Sequence, residues 1–399
     1  MRPAKILTVE KAKAIIEKEM DLDYEEVHKY IVSRFEIEDA IPRFLNLNLA
    51  GYKFIDDDAA KLIGEIADSA SLPNLISISP RAAAYLAQHD CVLALDGLQH
   101  LTEEVARALC KSGLPLSLSG LTCISERVAS LLAKRYISLT DCELVLNGLV
   151  ELPDAIAQKL SQYFGILVLN GLTTLSPISA RLLSQGYSKL LFLNSLTNLT
   201  GGKDDDVAFW LGRANMDLSL DGIKVLPASI AKHFSCGGYG VGFAGLTELA
   251  DEVAELLVKR QGLIDLSGLT SLSETTAKIL STKEEGMIVL GIKSLPVEIA
   301  ILLSSGACDL RLWKLETLDD DAAAALANHS GTLHIYGIKS ISAKAAEFLA
   351  QHKGDLDIDL EQLTSEAREI LAQRKSTPSD SGKSEEPSKN PTAYPFSQN

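Results

Sequence analysis

Apolar and polar positions along this chain alternate in two different ways, and the two alternate with each other. A short stretch of the form apolar-x-apolar-x-Gly, such as Leu116, Leu118 and Gly120, has period two and predicts a strand with one buried face. Apolar residues follow at the first and fourth positions past the glycine, as in Leu121 and Ile124, and anchor the turn. Then comes a period near 3.6: a Ser, Thr, Asp or Pro, followed by an Ala and a larger apolar residue three positions later. Residues three apart share one side of a helix.

The whole phrase returns thirteen times, most often after 23 residues, and two clean copies are LALDGLQHLTEEVARAL (93–109) and IDLSGLTSLSETTAKIL (264–280). The turn residues are Gly51, Asn74, Gly97, Gly120, Gly148, Gly171, Ser195, Gly222, Gly245, Gly268, Gly291, Lys314 and Gly337, with a shortened fourteenth unit near Asp359. A glycine there suits a sharp turn or a close approach to the neighbouring repeat. The expected helix starts are Asp56, Ser79, Thr102, Ser125, Pro153, Ser176, Thr200, Pro227, Ser273, Pro296, Asp319 and Ser342, side chains that accept from first-turn N–H groups or rings that preset φ. The Ala recurs from Ala60 and Ala83 to Ala323 and Ala346, where a small side chain lets the helix lie close to its neighbours.

A fixed period of 20 to 50 residues marks a solenoid. Strands are expected to stack on strands and helices on helices, giving an α/β array whose parallel sheet lines the concave side and whose helices form the convex side. These residues resemble leucine-rich repeats, and most closely the helix-backed subclass that reads L-x-L-x-x-C-x-x-I-T. Its usual Asn or Cys at the turn is replaced by Leu98, Leu121, Leu172 and Leu269. The resemblance covers about residues 45 to 372 and implies a right-handed solenoid serving as a binding scaffold.

The ends read differently. Leu7, Thr8, Ala12 and Ile15 repeat the helix half of the pattern, so residues 1–43 are expected to form a helical N-terminal cap over the first strand's edge. The solenoid is expected over 44–372, with about 13–14 units, and a disordered tail rich in Ser, Pro and Lys over 373–399. Two insertions interrupt the period, in KRYISLTDCEL and in GGKDDD (201–206). The second is expected to complete a helix start rather than a calcium loop, which needs spaced oxygen ligands and a distal Glu.

Composition narrows the chemistry. The net charge is -15 and the tail from Lys375 sums to zero, so the repeats carry the negative charge. Such a surface repels phosphate backbones and argues against nucleic acid. Six cysteines without a C-x-x-C pair suit free thiols in a reducing compartment. Neither an apolar leader core nor a membrane-length apolar run is present, so a soluble cytoplasmic protein without membrane contact is expected. His233 and Cys236 form an isolated H-x-x-C, read as a surface helix end. With no nucleophile elbow, phosphate loop or zinc spacing, the expectation is a non-enzyme with no cofactor and no metal.

Residues one and three before each turn residue point away from the core. Most are small or polar: Ala94 and Asp96, Ser117 and Ser119, Ser219 and Asp221, Asp265 and Ser267. Near the C-terminal end they become Arg311 and Trp313, then His334 and Tyr336, then Asp357 and Asp359. Arg, Trp and Tyr are the residues that dominate binding hot spots, and cross-strand pairing is expected to bring Trp313 against Tyr336. Phe192 with Asn194 is a second candidate on the same face, whereas Trp210 is expected to pack among helices. The function expected is therefore a protein-interaction module holding a basic or extended partner on its sheet. The alternative is a glycan or small ligand on the same aromatic patch.

Overall fold

Alternating apolar residues have one place to go when each strand has a helix behind it and an identical strand on either side. The computed structural model describes residues 5–20, 45–88, 92–135, 142–197, 199–200 and 205–374. The expectations for the tail, for most of the N-terminal cap and for much of both insertions fall outside these residues, as does Cys91. The chain divides into two compact units, one ending at Phe192 and the other beginning at Leu193.

The first unit opens with β1 (Ile6–Leu7) and α1 (Val9–Met20), then β2 (Asn46–Asn48), β3 (Phe54–Ile55) and α2 (Asp57–Ile66). It continues with β4 (Ser69–Ser71), β5 (Val92–Ala94), β6 (Leu116–Ser117), β7 (Glu143–Val145), β8 (Ile166–Val168) and β9 (Leu190–Phe192), each with a helix after it. The second unit carries β10 (Asp217–Ser219), β11 (Val241–Gly242), β12 (Ile264–Leu266), β13 (Met287–Leu290), β14 (Asp309–Arg311), β15 (Leu333–Ile335) and β16 (Leu356–Ile358). Within each unit the strands other than β1 and β3 lie side by side, parallel and in sequence order.

Register keeps like against like. Leu93, Leu116, Leu144, Leu167 and Leu191 face one another across parallel strands, and Val241, Ile264, Ile288, Leu310, Leu333 and Leu356 do so in the second unit. The recurring Ala is 0% exposed in every repeat from Ala60 to Ala346, and the larger residue three positions on never exceeds 3%. The Leu or Ile after the turn residue is equally buried, for instance Leu121 and Leu172 at 0%. The core is therefore a column of mostly aliphatic side chains running between sheet and helices within each unit, with Tyr163, Phe234 and Phe243 also fully buried.

The turn glycines serve close approach. A Cβ on Gly171 would collide with the Asn147 carbonyl oxygen, and one on Gly291 with that of Ser267. Positive φ among the described glycines occurs elsewhere, at Gly237 and Gly286. Gly51, in the first repeat, has nothing within 4 Å of such an atom.

Most helix starts fall where expected, with Ser79, Thr102, Ser125, Ser176, Ser273 and Ser342 each accepting from the N–H three residues on. Thr200 does not cap its helix. The insertion moves that role to Asp206, whose carboxylate accepts from Val207 N, while Thr200 Oγ1 donates to the same oxygen at 2.6 Å. The cap also differs in detail. Ile16, not Ile15, is the buried partner of Ala12. Among the described residues, β1 pairs with β3 and α1 packs on α2.

Candidate functional site

With Leu310 and Leu312 buried behind the sheet, Arg311 and Trp313 must lie on the face away from the helices, and the same alternation turns His334 and Tyr336 outward beside Leu333 and Ile335. Arg311 stands opposite His334 in the β14–β15 register. The structure thus brings these four side chains together on adjacent strands. Their pairing departs from the expected one. Trp313 and Tyr336 make no ring contact among the described residues. Instead the Arg311 guanidinium lies 5.1 Å from the Trp313 ring centroid, and the His334 and Tyr336 rings stack at 6.2 Å with planes 25° apart. Each pair joins residues two apart in sequence, the second lying just past the end of its strand.

Asp357, on β16, joins the cluster. Its Oδ2 accepts from the Tyr336 hydroxyl and lies 3.3 Å from His334 Nδ1. Partial burial, followed by the bond to Asp357, pushes the Tyr336 phenol up to about 12. Its ring stays 37% exposed. Arg311 Nε and Trp313 Nε1 are buried yet have no acceptor among the described residues.

Phe192 and Asn194 are placed differently. Phe192 and Leu190 pack on Val145, Ile166 and Val168, an apolar group on the same outward face and buried to 1% exposure or less. Asn194 Oδ1 is engaged within the sheet, accepting from Ser219 Oγ at 2.6 Å and from Asp221 N at 3.0 Å. It is one rung of a ladder. Asp96 accepts from Ser119 N at 2.7 Å, Asn147 from Asn170 N at 2.9 Å and Asp221 from Ala244 N at 2.9 Å. The polar residue before the turn glycine thereby holds the next strand's main chain. Farther along, burial pushes the Asp265 carboxyl up, against a hydrogen bond from Ser267 N.

Sequence reasoning missed a second column, at the corner between helix and next strand, fifteen residues past the turn residue. Arg260 is 1% exposed and donates to the carbonyls of Tyr239, Gly212, Phe234 and Cys236. One repeat on, Lys283 reaches the Arg260 carbonyl; burial lowers the pKa of both. His329 Nε2 meets the Cys308 carbonyl at 2.8 Å, and His352 stacks on His329 at 6.4 Å. The legible signal was the 23-residue spacing of Arg260 and Lys283, and of His329 and His352.

His233 corrects another expectation. It is 5% exposed, not on the surface, and meets Phe209 edge-on at 5.9 Å, while Trp210 meets the same ring at 5.1 Å. Cys236 Sγ lies 4.0 Å from the His233 carbonyl. Burial pushes the Cys110 and Cys308 thiols up to about 11. Among the described residues no group of His, Cys, Asp or Glu is placed to hold a metal ion, and no helix is long and apolar enough to cross a membrane.

No protein-family model matches the chain, and no curated protein matches it. Among solved structures it is similar to a leucine-rich-repeat protein of Leptospira interrogans, 18% identical, covering 85% of this chain and 90% of that one, with a TM-score of 0.32. It is similar also to a chain of the Drosophila Toll–Spatzle complex, 14% identical, covering 78% of this chain and 49% of that one, with a TM-score of 0.41. Strand, close-packed turn and Ala-anchored helix, repeated in parallel register, make this chain a leucine-rich-repeat-like solenoid.

Proposed function

We propose that the chain is a non-enzymatic protein-interaction module that holds an extended partner against the outward face of its sheet, with Arg311, Trp313, His334 and Tyr336 as the anchor. One observation carries this reading. A buried N–H without an acceptor costs about 1–3 kcal/mol, and the patch contains two of them, Arg311 Nε and Trp313 Nε1. Groups of that kind in a folded protein call for a functional reason, and an incoming chain has carbonyl oxygens to offer. The aromatic rings supply rigid apolar area beside them. Elsewhere on the chain the net charge of -15 favours a partner that is cationic beyond the anchor.

The test is affinity capture with the full chain, followed by calorimetry of each captured protein against wild type, Trp313→Ala and Tyr336→Ala. Both variants are expected to keep the wild-type melting curve and to lose about 2 kcal/mol or more of binding free energy. Full affinity in both variants would reduce the patch to packing. Saturable binding of defined oligosaccharides on a glycan array, lost in the same variants, would replace the protein partner by a sugar.

A further inference from the structure

Arg311 is electrically out of place. The chain has 53 Asp and Glu against 38 Lys and Arg, so a positive side chain on the outward sheet face stands against an excess of carboxylates. The basic side chains of the corner column meet main-chain carbonyls, as Arg135, Arg260 and Arg374 do. Lys314, next to Trp313, donates to the Ser267 carbonyl at 2.9 Å. Arg311 forms no hydrogen bond or ion pair among the described residues, and its partner there is the Trp313 ring. The carboxylates nearest in register are engaged elsewhere. Asp309 accepts from Thr332 N at 2.8 Å, and Asp357 serves Tyr336 and His334.

We propose that Arg311 receives a carboxylate from the partner, an Asp or Glu side chain on an extended segment, while Trp313 Nε1 takes a neighbouring main-chain carbonyl of that segment. This rests on the reading of the outward sheet face as the interaction surface. Three features argue for it. A guanidinium held beside an indole, 5.1 Å from its centroid, has N–H groups left in a planar fork, the geometry that a carboxylate matches with two parallel hydrogen bonds. Arg311 ends its strand and Trp313 follows two residues on, at the start of the turn, so the two side chains present a donor pair to one short stretch of an incoming peptide. Asp309 on the same strand and Asp357 two strands over in the same register add negative charge near Arg311, which opposes a doubly charged phosphate about twice as strongly as a carboxylate.

The experiment uses displayed linear dodecapeptides, panned on the full wild-type chain and on Arg311→Met, Arg311→Lys and Trp313→Ala. Peptides selected by wild type are expected to share one Asp or Glu. In a synthetic copy, Asn at that position is expected to weaken binding about tenfold or more, the scale of one charge-assisted hydrogen bond. Against Arg311→Met the Asp and Asn peptides are expected to bind alike, and Arg311→Lys is expected to restore only part of the preference. Selected peptides without a shared acid, or an Asp-to-Asn loss unchanged in Arg311→Met, overturn the proposal and leave the interaction surface standing. So does displacement of the peptide by inorganic phosphate in wild type but not in Arg311→Met, which points to a phosphorylated partner. Peptides insensitive to Trp313→Ala, or none selected, overturn the surface reading as well.

Discussion

A guanidinium taken out of water is tolerable only where oxygen atoms meet its N–H groups, and Arg260 has four carbonyls arranged around it. Removing the guanidinium leaves buried carbonyls without a donor, at about 1–3 kcal/mol for each group left unsatisfied. Arg260→Met, similar in length, is expected to destabilise by about 3 kcal/mol, read as a lowered urea midpoint. A midpoint within error of wild type would mean that water satisfies those carbonyls. Glycines give a paired contrast. Gly171→Ala drives a Cβ into the Asn147 carbonyl, whereas Gly51→Ala meets open space. The first is expected to cost about 2 kcal/mol or more and the second less than about 0.5 kcal/mol in the same denaturation experiment. Neither difference was legible in the sequence, where both residues are the turn glycine of the same phrase. Legible residues were those that repeat for a packing reason, above all the Ala that is fully buried in every unit.

Between elements, the recurring device is a serine serving two helices at once. Ser176 Oγ accepts from Ser179 N at 2.9 Å and donates to Asp154 in the preceding helix at 2.5 Å. Ser79 with Asp57 and Ser342 with Asp320 repeat it. A helix start joined to its neighbour in this way loses two bonds when the hydroxyl is removed. Ser176→Ala is expected to destabilise by about 1–2 kcal/mol, the upper part of the range for a lost cap, and Asp154→Asn by less, since a hydrogen-bond acceptor remains. Equal melting temperatures for Ser176→Ala and wild type would show that the cross-helix bond contributes nothing. The caps were readable from Ser, Thr, Asp and Pro at fixed offsets. Their coupling was not, because it joins residues 22 apart. Thr200 was misread for a related reason: with residues inserted after it, Asp206, the residue next to the helix in sequence, becomes the cap and Thr200 donates to its carboxylate.

At the scale of the molecule each repeat depends on the one before it, so a titrating group in the corner column acts on the array. Burial lowers the pKa of His352, with the Arg374 charge acting in the same direction. Folding therefore favours its neutral form. The stability it contributes is complete above the ordinary histidine value of about 6.5 and is lost as pH falls from there through the lowered value. Urea midpoints are expected to fall between pH 7.5 and 5.5, and His352→Gln to show a smaller fall. An identical fall in the variant would assign the acid sensitivity elsewhere.

Period, element order and buried column were determined by the sequence, because each rests on local periodicity and a rule applied over and over. A strand that alternates and a helix with its Ala at one place can bury those faces only by stacking on copies of themselves. The positions of the outward side chains were legible for the same reason. What they do there was decided by tertiary structure: Asn194 became a rung, Phe192 joined an apolar group, and Arg311 lay on Trp313 while Tyr336 stacked on His334. Those outcomes depend on which hydrogen-bond partner the next strand presents at about 4.8 Å, a distance that exists only once the repeats are stacked.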